Sequence, residues 1–241
     1  MKSVWYYMER DMLKWTRSRI AVVTLMIMPA AWLIFVGLAL PVTFTGNYLD
    51  FITPGILVMT MLASSLQGGA LLMFDKILGF LNKFLALPSP RESILFGKIL
   101  FMTIRGVLQA TIIFLVAILL GATILSPAQY LLIYLILILF GILLSGLAAT
   151  VALYLEDHDT YTAVNTLISM PLFFTSSALM PYSVMPPWLR TIASVNPLSF
   201  AIDAIRSVEA GNIPFFQIGL LVVLGIIVLT VCVHVFRRVT V

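Results

Sequence analysis

The sequence predicts an all-α polytopic membrane protein. It has six transmembrane helices, an interfacial amphipathic helix at the N-terminus, a second amphipathic helix on the cytoplasmic side, and two short re-entrant helices before the last span. Three observations predict this. First, the 241-residue chain is 61% hydrophobic and 10% charged, whereas soluble domains carry roughly 25% charged residues. With a mean hydropathy of +1.11, lipid must be its main solvent. Second, charge-free stretches run over 20–49, 51–74, 106–155, 160–189 and 210–236, and about 20 apolar residues cross a bilayer. Third, basic residues gather almost entirely on one side of the crossings those stretches define.

The N-terminus comes first. Residues 1–19 carry five basic and two acidic side chains, and the apolar run that follows is longer than a signal-peptide core, so it reads as a retained first span. At about 100° per residue, Val4, Trp5, Met8, Met12 and Trp15 share one arc. Lys2, Glu9, Arg10, Lys14 and Arg17 take the other side. A helix so divided lies in the headgroup plane with its aromatic residues at the acyl boundary. The alternatives are a topogenic anchor and a docking element for a cytoplasmic partner.

The 106–155 stretch is long enough to cross twice, and Gly121, Ser126 and Pro127 mark a turn within it. The spans are therefore placed at 20–40, 51–73, 100–123, 129–154, 160–180 and 213–236 of a single transmembrane domain covering 1–241. Twelve basic residues (Lys2, Arg10, Lys14, Arg17, Arg19, Lys76, Lys83, Arg91, Lys98, Arg105, Arg237 and Arg238) then fall on the side of the termini, with only Arg190 and Arg206 opposite. This bias makes both termini cytoplasmic.

Between spans two and three, Phe74, Ile77, Leu78, Phe80, Leu81, Phe84 and Leu85 form a broad apolar arc over one predicted helix, residues 74–86. Asp75, Lys76, Gly79, Asn82 and Lys83 form its narrow polar edge, and Pro88 and Pro90 end it. The arc is wider than a surface helix needs, so lipid or another protein's groove should cover part of it.

After span five, four prolines interrupt the pattern within residues 177–200. Non-helical backbone at membrane depth needs a cover of protein or water. Pro181 caps the fifth span. Pro186 and Pro187 open a helix with Trp188 at interface level, and Asn196 with Pro197 opens another as N-cap and first residue. On the latter, Asp203, Arg206 and Glu209 share a face, so Arg206 can pair with either acid. Residues 181–210 thus make two re-entrant helices, read either as an outer gate or as a stabilising outer cap.

With these elements in place the chain resembles the permease subunit of a type-two ABC (ATP-binding cassette) exporter. The resemblance rests on Ile52, Thr53, Pro54, Gly55, Ile56 and Leu57 opening span two, on Gly79, and on the exit Leu87, Pro88, Ser89, Pro90, Arg91. It continues through Gly97 with Lys98 and Arg105 with Gly106, then Pro181, Pro186, Pro187, Trp188, Leu189, Asn196, Pro197 and Arg206. The branch it is most similar to exports drugs such as daunorubicin or lipid-linked oligosaccharides. That family often has Ser-Gly where this chain has Ser177-Ala178.

The resemblance implies a half-transporter in a prokaryotic cytoplasmic membrane: two permease copies, most simply a homodimer, above separate ATPase subunits that carry ATP and magnesium. Residues 74–91 become the coupling helix, with Asp75, Lys76, Ile77, Gly79, Phe80, Asn82, Lys83, Phe84, Pro88 and Arg91 at the contact. Trp5, Met8, Met12 and Trp15 flank it. Pro181, Pro186, Pro187, Trp188, Asn196, Pro197, Asp203 and Arg206 form the outer gate.

Other features have plainer readings. Glu156, Asp157, His158 and Asp159 are adjacent in a short loop, and such residues rarely converge on one ion, so no metal site is expected; Asp159 is read as capping span five. Arg105 is read as snorkelling to the cytoplasmic headgroups, with an acid partner or an anionic substrate headgroup as alternatives. Gln67, an amide at mid-to-inner depth, needs a partner or faces the pathway. Gly141, Ser145 and Ala149 in span four, and Ser64, Ser65, Gly68 and Gly69 in span two, let helices approach closely. The only Gly-Lys lacks the rest of a phosphate loop, and no hydrolytic motif is present, so the chain alone is not expected to be an enzyme, to hold a cofactor or to bind nucleic acid. Two rivals remain. An ion-coupled transporter would need a mid-membrane charge, and a non-transporting scaffold would need no ATPase.

Overall fold

The computed structural model describes residues 2–39, 48–85 and 90–239. Every regular element among them is helical: α1 (Lys2–Arg17), α2 (Arg19–Ala39), α3 (Tyr48–Ile77), α4 (Phe80–Leu85), α5 (Glu92–Leu119), α6 (Pro127–Tyr154), α7 (His158–Phe174), α8 (Pro187–Val195), α9 (Pro197–Glu209) and α10 (Phe215–Val239), with a 3-10 turn at Tyr182–Val184. Among the described residues four helices, α3, α5, α6 and α10, are long and apolar enough to cross a membrane, and a fifth span is reached if the bent pair α1 and α2 counts as one.

The elements begin and end where local chemistry dictates. Ser126 accepts the Gln129 amide while the Gln129 side chain accepts from the Ser126 N–H, a capping box with Pro127 in the first turn. Asn196 accepts from the Leu198 N–H at 2.9 Å and Pro197 starts α9. Pro187 starts α8 after Pro186. The predicted cap of α7 is corrected by two residues. Asp157, not Asp159, caps it, accepting from the Thr160 N–H at 2.7 Å and the Thr160 hydroxyl at 2.6 Å, because the helix starts at His158 and leaves Asp159 inside its first turn. These bonds hold the Asp157 carboxyl below its ordinary range. α7 stops at Phe174 rather than 180. α5 starts at Glu92, eight residues before the predicted span, because Lys98 is paired internally and does not end the helix.

α3 is the axis of the bundle. It packs against α2, α5, α6, α7 and α9, and Ile52, Ile56, Leu57, Val58, Met61, Leu72 and Met73 are fully enclosed. Small polar residues allow this density. The Ser145 hydroxyl of α6 donates to that of Ser65 at 3.2 Å, so the small-residue positions of spans two and four serve helix contact. Arg237 of α10 meets Glu92 of α5 at 2.8 Å, and α1 packs on α5, so α1 and the last turn of α10 lie at one end of the bundle.

Candidate functional site

At that end the α3 backbone turns. The predicted single helix over 74–86 is corrected to two: α3 runs to Ile77, Leu78 and Gly79 form a turn, and α4 follows. Gly79 has φ +71°, a left-handed conformation that only glycine adopts without strain. Helical periodicity continues across it in the sequence, and that hid the break. The Gly79 N–H donates to the Lys76 carbonyl at 3.1 Å, closing the turn.

The break divides the predicted contact set. Leu81 is buried, and Phe84 packs edge-on to Tyr7 at 5.5 Å with the Arg10 guanidinium 4.4 Å over its ring. Ile77, Leu78 and Phe80 stay outside at 48%, 62% and 39% exposure, and Lys83 and Arg91 are exposed. Asp75 and Lys76 are engaged internally instead. The Lys76 ammonium donates to the Leu153 and Leu155 carbonyls, each at 2.8 Å, where α6 ends. The Asn82 side chain and Pro88 lie outside the described residues.

Asp75 belongs to a buried ion cluster that sequence reasoning missed. Lys98, 2% exposed, places its ammonium 2.5 Å from Asp75 Oδ2 and 2.8 Å from Asp11 Oδ2. Arg10 bridges the same two acids at 2.6 and 3.2 Å. Two acids and two bases balance, which buried charges require. Gly97 makes the approach possible: a Cβ there would come 2.7 Å from Tyr7 Cβ and 3.0 Å from the Val4 carbonyl. The α1 packing face is accordingly rotated from the predicted arc. Tyr7, Met8 and Asp11 are buried and Trp5 is 59% exposed, while Met8, Met12 and Trp15 pack with Phe101 and Met102 of α5. The signal was an acid, Asp11, bordering an otherwise apolar helical face.

Arg105 does not snorkel. It is 3% exposed, and it donates to Gln67 Oε1 at 2.8 Å, to the Ser64 hydroxyl at 3.3 Å and to the Ser64 carbonyl at 3.4 Å. The two predicted pathway residues are thus bonded to each other. Gln67 also borders a cavity of about 200 Å³ between α3 and α7, with Asn165, Ser169 and Met170 on the far wall. The α7 row Thr162, Asn165, Thr166 and Ser169 was missed, although its three- and four-residue spacing marks one polar face of an otherwise apolar helix.

At the opposite end Arg206 pairs with Asp203, one of the two acids on its face, at 3.9 Å. Asp203 accepts from the Ser177 and Tyr182 hydroxyls, both at 2.8 Å. Arg206 donates to the Phe51 carbonyl at 3.0 Å and stacks 3.8 Å over the Phe51 ring. Asn196 donates from Nδ2 to the Leu172 carbonyl at 2.7 Å, tying α9 to the end of α7. Pro181 precedes the 3-10 turn, and Trp188 is exposed on α8.

The fold is that of a polytopic α-helical membrane protein whose charges are concentrated at the ends of an apolar bundle. Residues 2–210 match the family of ABC-2 type transporters, and the chain belongs to that family. It is 34% identical over 193 residues to the transport permease ycf38 of Porphyra purpurea, covering 77% of this chain and 66% of that relative. It is 33% identical over 213 residues to ycf38 of Cyanophora paradoxa, covering 86% and 73%. It is also 25% identical over 223 residues to the daunorubicin resistance ABC transporter permease protein DrrB1 of Streptomyces coeruleorubidus, covering 89% and 77%. This chain spans about two thirds of the length of the Porphyra relative.

Proposed function

We propose that the chain is the membrane-spanning subunit of an ATP-driven exporter of hydrophobic or amphipathic molecules. It works as a pair of copies, with a separate ATPase docking on the Gly79 turn. The observation that carries this reading is the turn itself. A left-handed glycine ends the most enclosed helix of the bundle and leaves Ile77, Leu78 and Phe80 uncovered beside Lys83. Exposed apolar side chains rimmed by cations are what a protein groove covers. Because Asp75 is locked to α1 and α5, and Lys76 to the end of α6, a push on the turn reaches four helices together.

In this reading α2, α3, α5, α6, α7 and α10 make six crossings. The 17 residues of α7 span about 25 Å, and the Asn196 bond extends its anchorage into α9. The end rich in Lys and Arg is cytoplasmic, in the cytoplasmic membrane of a prokaryote. α8 and α9 cover the outer end as a gate, and Asp203 and Arg206 latch it to residues 177–182 and to α3. The α3–α7 cavity with Gln67 and Asn165 lines the path, and the polar α7 row faces water or the second copy. The drug-resistance permease among the relatives supports an amphipathic cargo.

Alternating access requires the nucleotide state to favour one conformation by about 5.5 kcal/mol to move a gate from 1:99 to 99:1, and the turn transmits much of that. Gly79→Pro tests it. Proline fixes φ near −65° against the observed +71°, so membrane insertion should persist while ATP-driven uptake into inverted vesicles is lost. Normal transport by this variant overturns the coupling role.

A further inference from the structure

Beside the ion cluster lies a cavity of about 290 Å³, between α1, α3 and α5, which shares no lining residue with the α3–α7 cavity. Asp11 and Asp75 reach its wall, but both are consumed by Lys98 and Arg10. The remaining polar groups, Arg105, Lys14, the Trp15 indole and the Ser18 hydroxyl, can all donate. Arg105 and Lys14 line the cavity, and neither has a carboxylate within ion-pair distance among the described residues. The buried indole N–H of Trp15, also in the wall, has no acceptor. The rest of the wall is apolar, formed by Phe74, Leu78, Phe101 and their neighbours.

A site with two surplus positive charges, an idle N–H donor and apolar walls selects an anion attached to an apolar chain. We propose that this cavity holds the phosphate of an acidic membrane phospholipid. Lys14, the Trp15 N–H and Arg105 Nη1, the guanidinium nitrogen not bonded to Ser64 or Gln67, receive its oxygens, and Phe74, Leu78 and Phe101 receive the start of its acyl region. A soluble phosphate would satisfy the donors but leave the apolar walls uncovered. The lipid fills both, and it ties α1 to the end of α3 at the turn.

The test uses the full chain in neutral detergent with Trp5, Trp32 and Trp188 changed to Phe, leaving Trp15 as the only tryptophan of the four. Brominated phosphatidylglycerol and brominated phosphatidylcholine are compared as contact quenchers of its fluorescence. The phosphatidylglycerol midpoint should fall at a lower mole fraction, by about fivefold per engaged cation. Lys14→Gln, at an exposed position that leaves folding intact, should reduce that preference by about fivefold. Glycerol phosphate at the same concentration should not relieve the quenching. Equal quenching by the two lipids, an unchanged preference in Lys14→Gln, or displacement by glycerol phosphate would each overturn the assignment.

Discussion

Lys98 and Asp75 form an ion pair of 2.5 Å inside the protein, joining the second turn of one apolar helix to the last turn of another. Lys98 also holds Asp11 of α1, so one ammonium fixes three helices at the point where α3 turns. Removing it leaves two buried carboxylates to share one cation, Arg10, so that one buried negative charge is uncompensated. Lys98→Met should therefore lower stability by about 3–5 kcal/mol and free α1 from α5. A fluorescence-monitored thermal scan of the purified protein reads the first effect, and protease sensitivity near residue 17 reads the second. Asp75→Asn, which leaves Lys98 bonded to Asp11, should have the smaller effect.

The Arg105–Gln67 bond of 2.8 Å supplies the guanidinium with its shortest acceptor. Gln67→Leu removes that acceptor and leaves an enclosed cation under-satisfied. A loss of about 1–3 kcal/mol is expected. Gln67→Glu, which offers a carboxylate at the same reach, should retain or raise stability. Comparing the two thermal midpoints separates the loss of this bond from any effect of changing the cavity wall.

Asn196 does two jobs with one amide. Its oxygen caps α9 and its nitrogen holds the Leu172 carbonyl and the Thr175 hydroxyl. Asn196→Ala should cost about 2 kcal/mol, while Asn196→Asp keeps the cap and loses the nitrogen bonds. Hydrogen exchange should then report early opening of both α9 and the end of α7 in the alanine variant. In the aspartate variant it should report opening mainly at α7.

What could be read from the chain divides along the reach of the interactions. Asn196 with Pro197 was legible because a cap is settled within three residues, whereas Ser126 was read only as a turn marker and its pairing with Gln129 went unread. The all-helical fold and its apolar bundle followed from composition. The partners of Lys98 were not legible, because Asp11 and Asp75 lie on other helices and nothing local distinguishes a paired lysine from a surface one. Arg105 misled for the same reason: its acceptors Ser64 and Gln67 are some forty residues distant, at separations of 41 and 38. Gly79 was singled out, but its left-handed φ was hidden because the apolar spacing of Phe74, Ile77, Leu78 and Leu81 runs on as if the helix were unbroken.

The central claim is that the Gly79 turn projects into the cytoplasm and is covered by a separate ATPase. The most direct measurement places a single cysteine at Leu78 in a Cys232→Ser background and labels it with a membrane-impermeant maleimide, in intact cells and in inverted vesicles. The account predicts labelling only in inverted vesicles, and strong protection when a partner ATPase subunit is bound. Labelling from the outer side of intact cells, or labelling in inverted vesicles that the ATPase leaves unchanged, would contradict it.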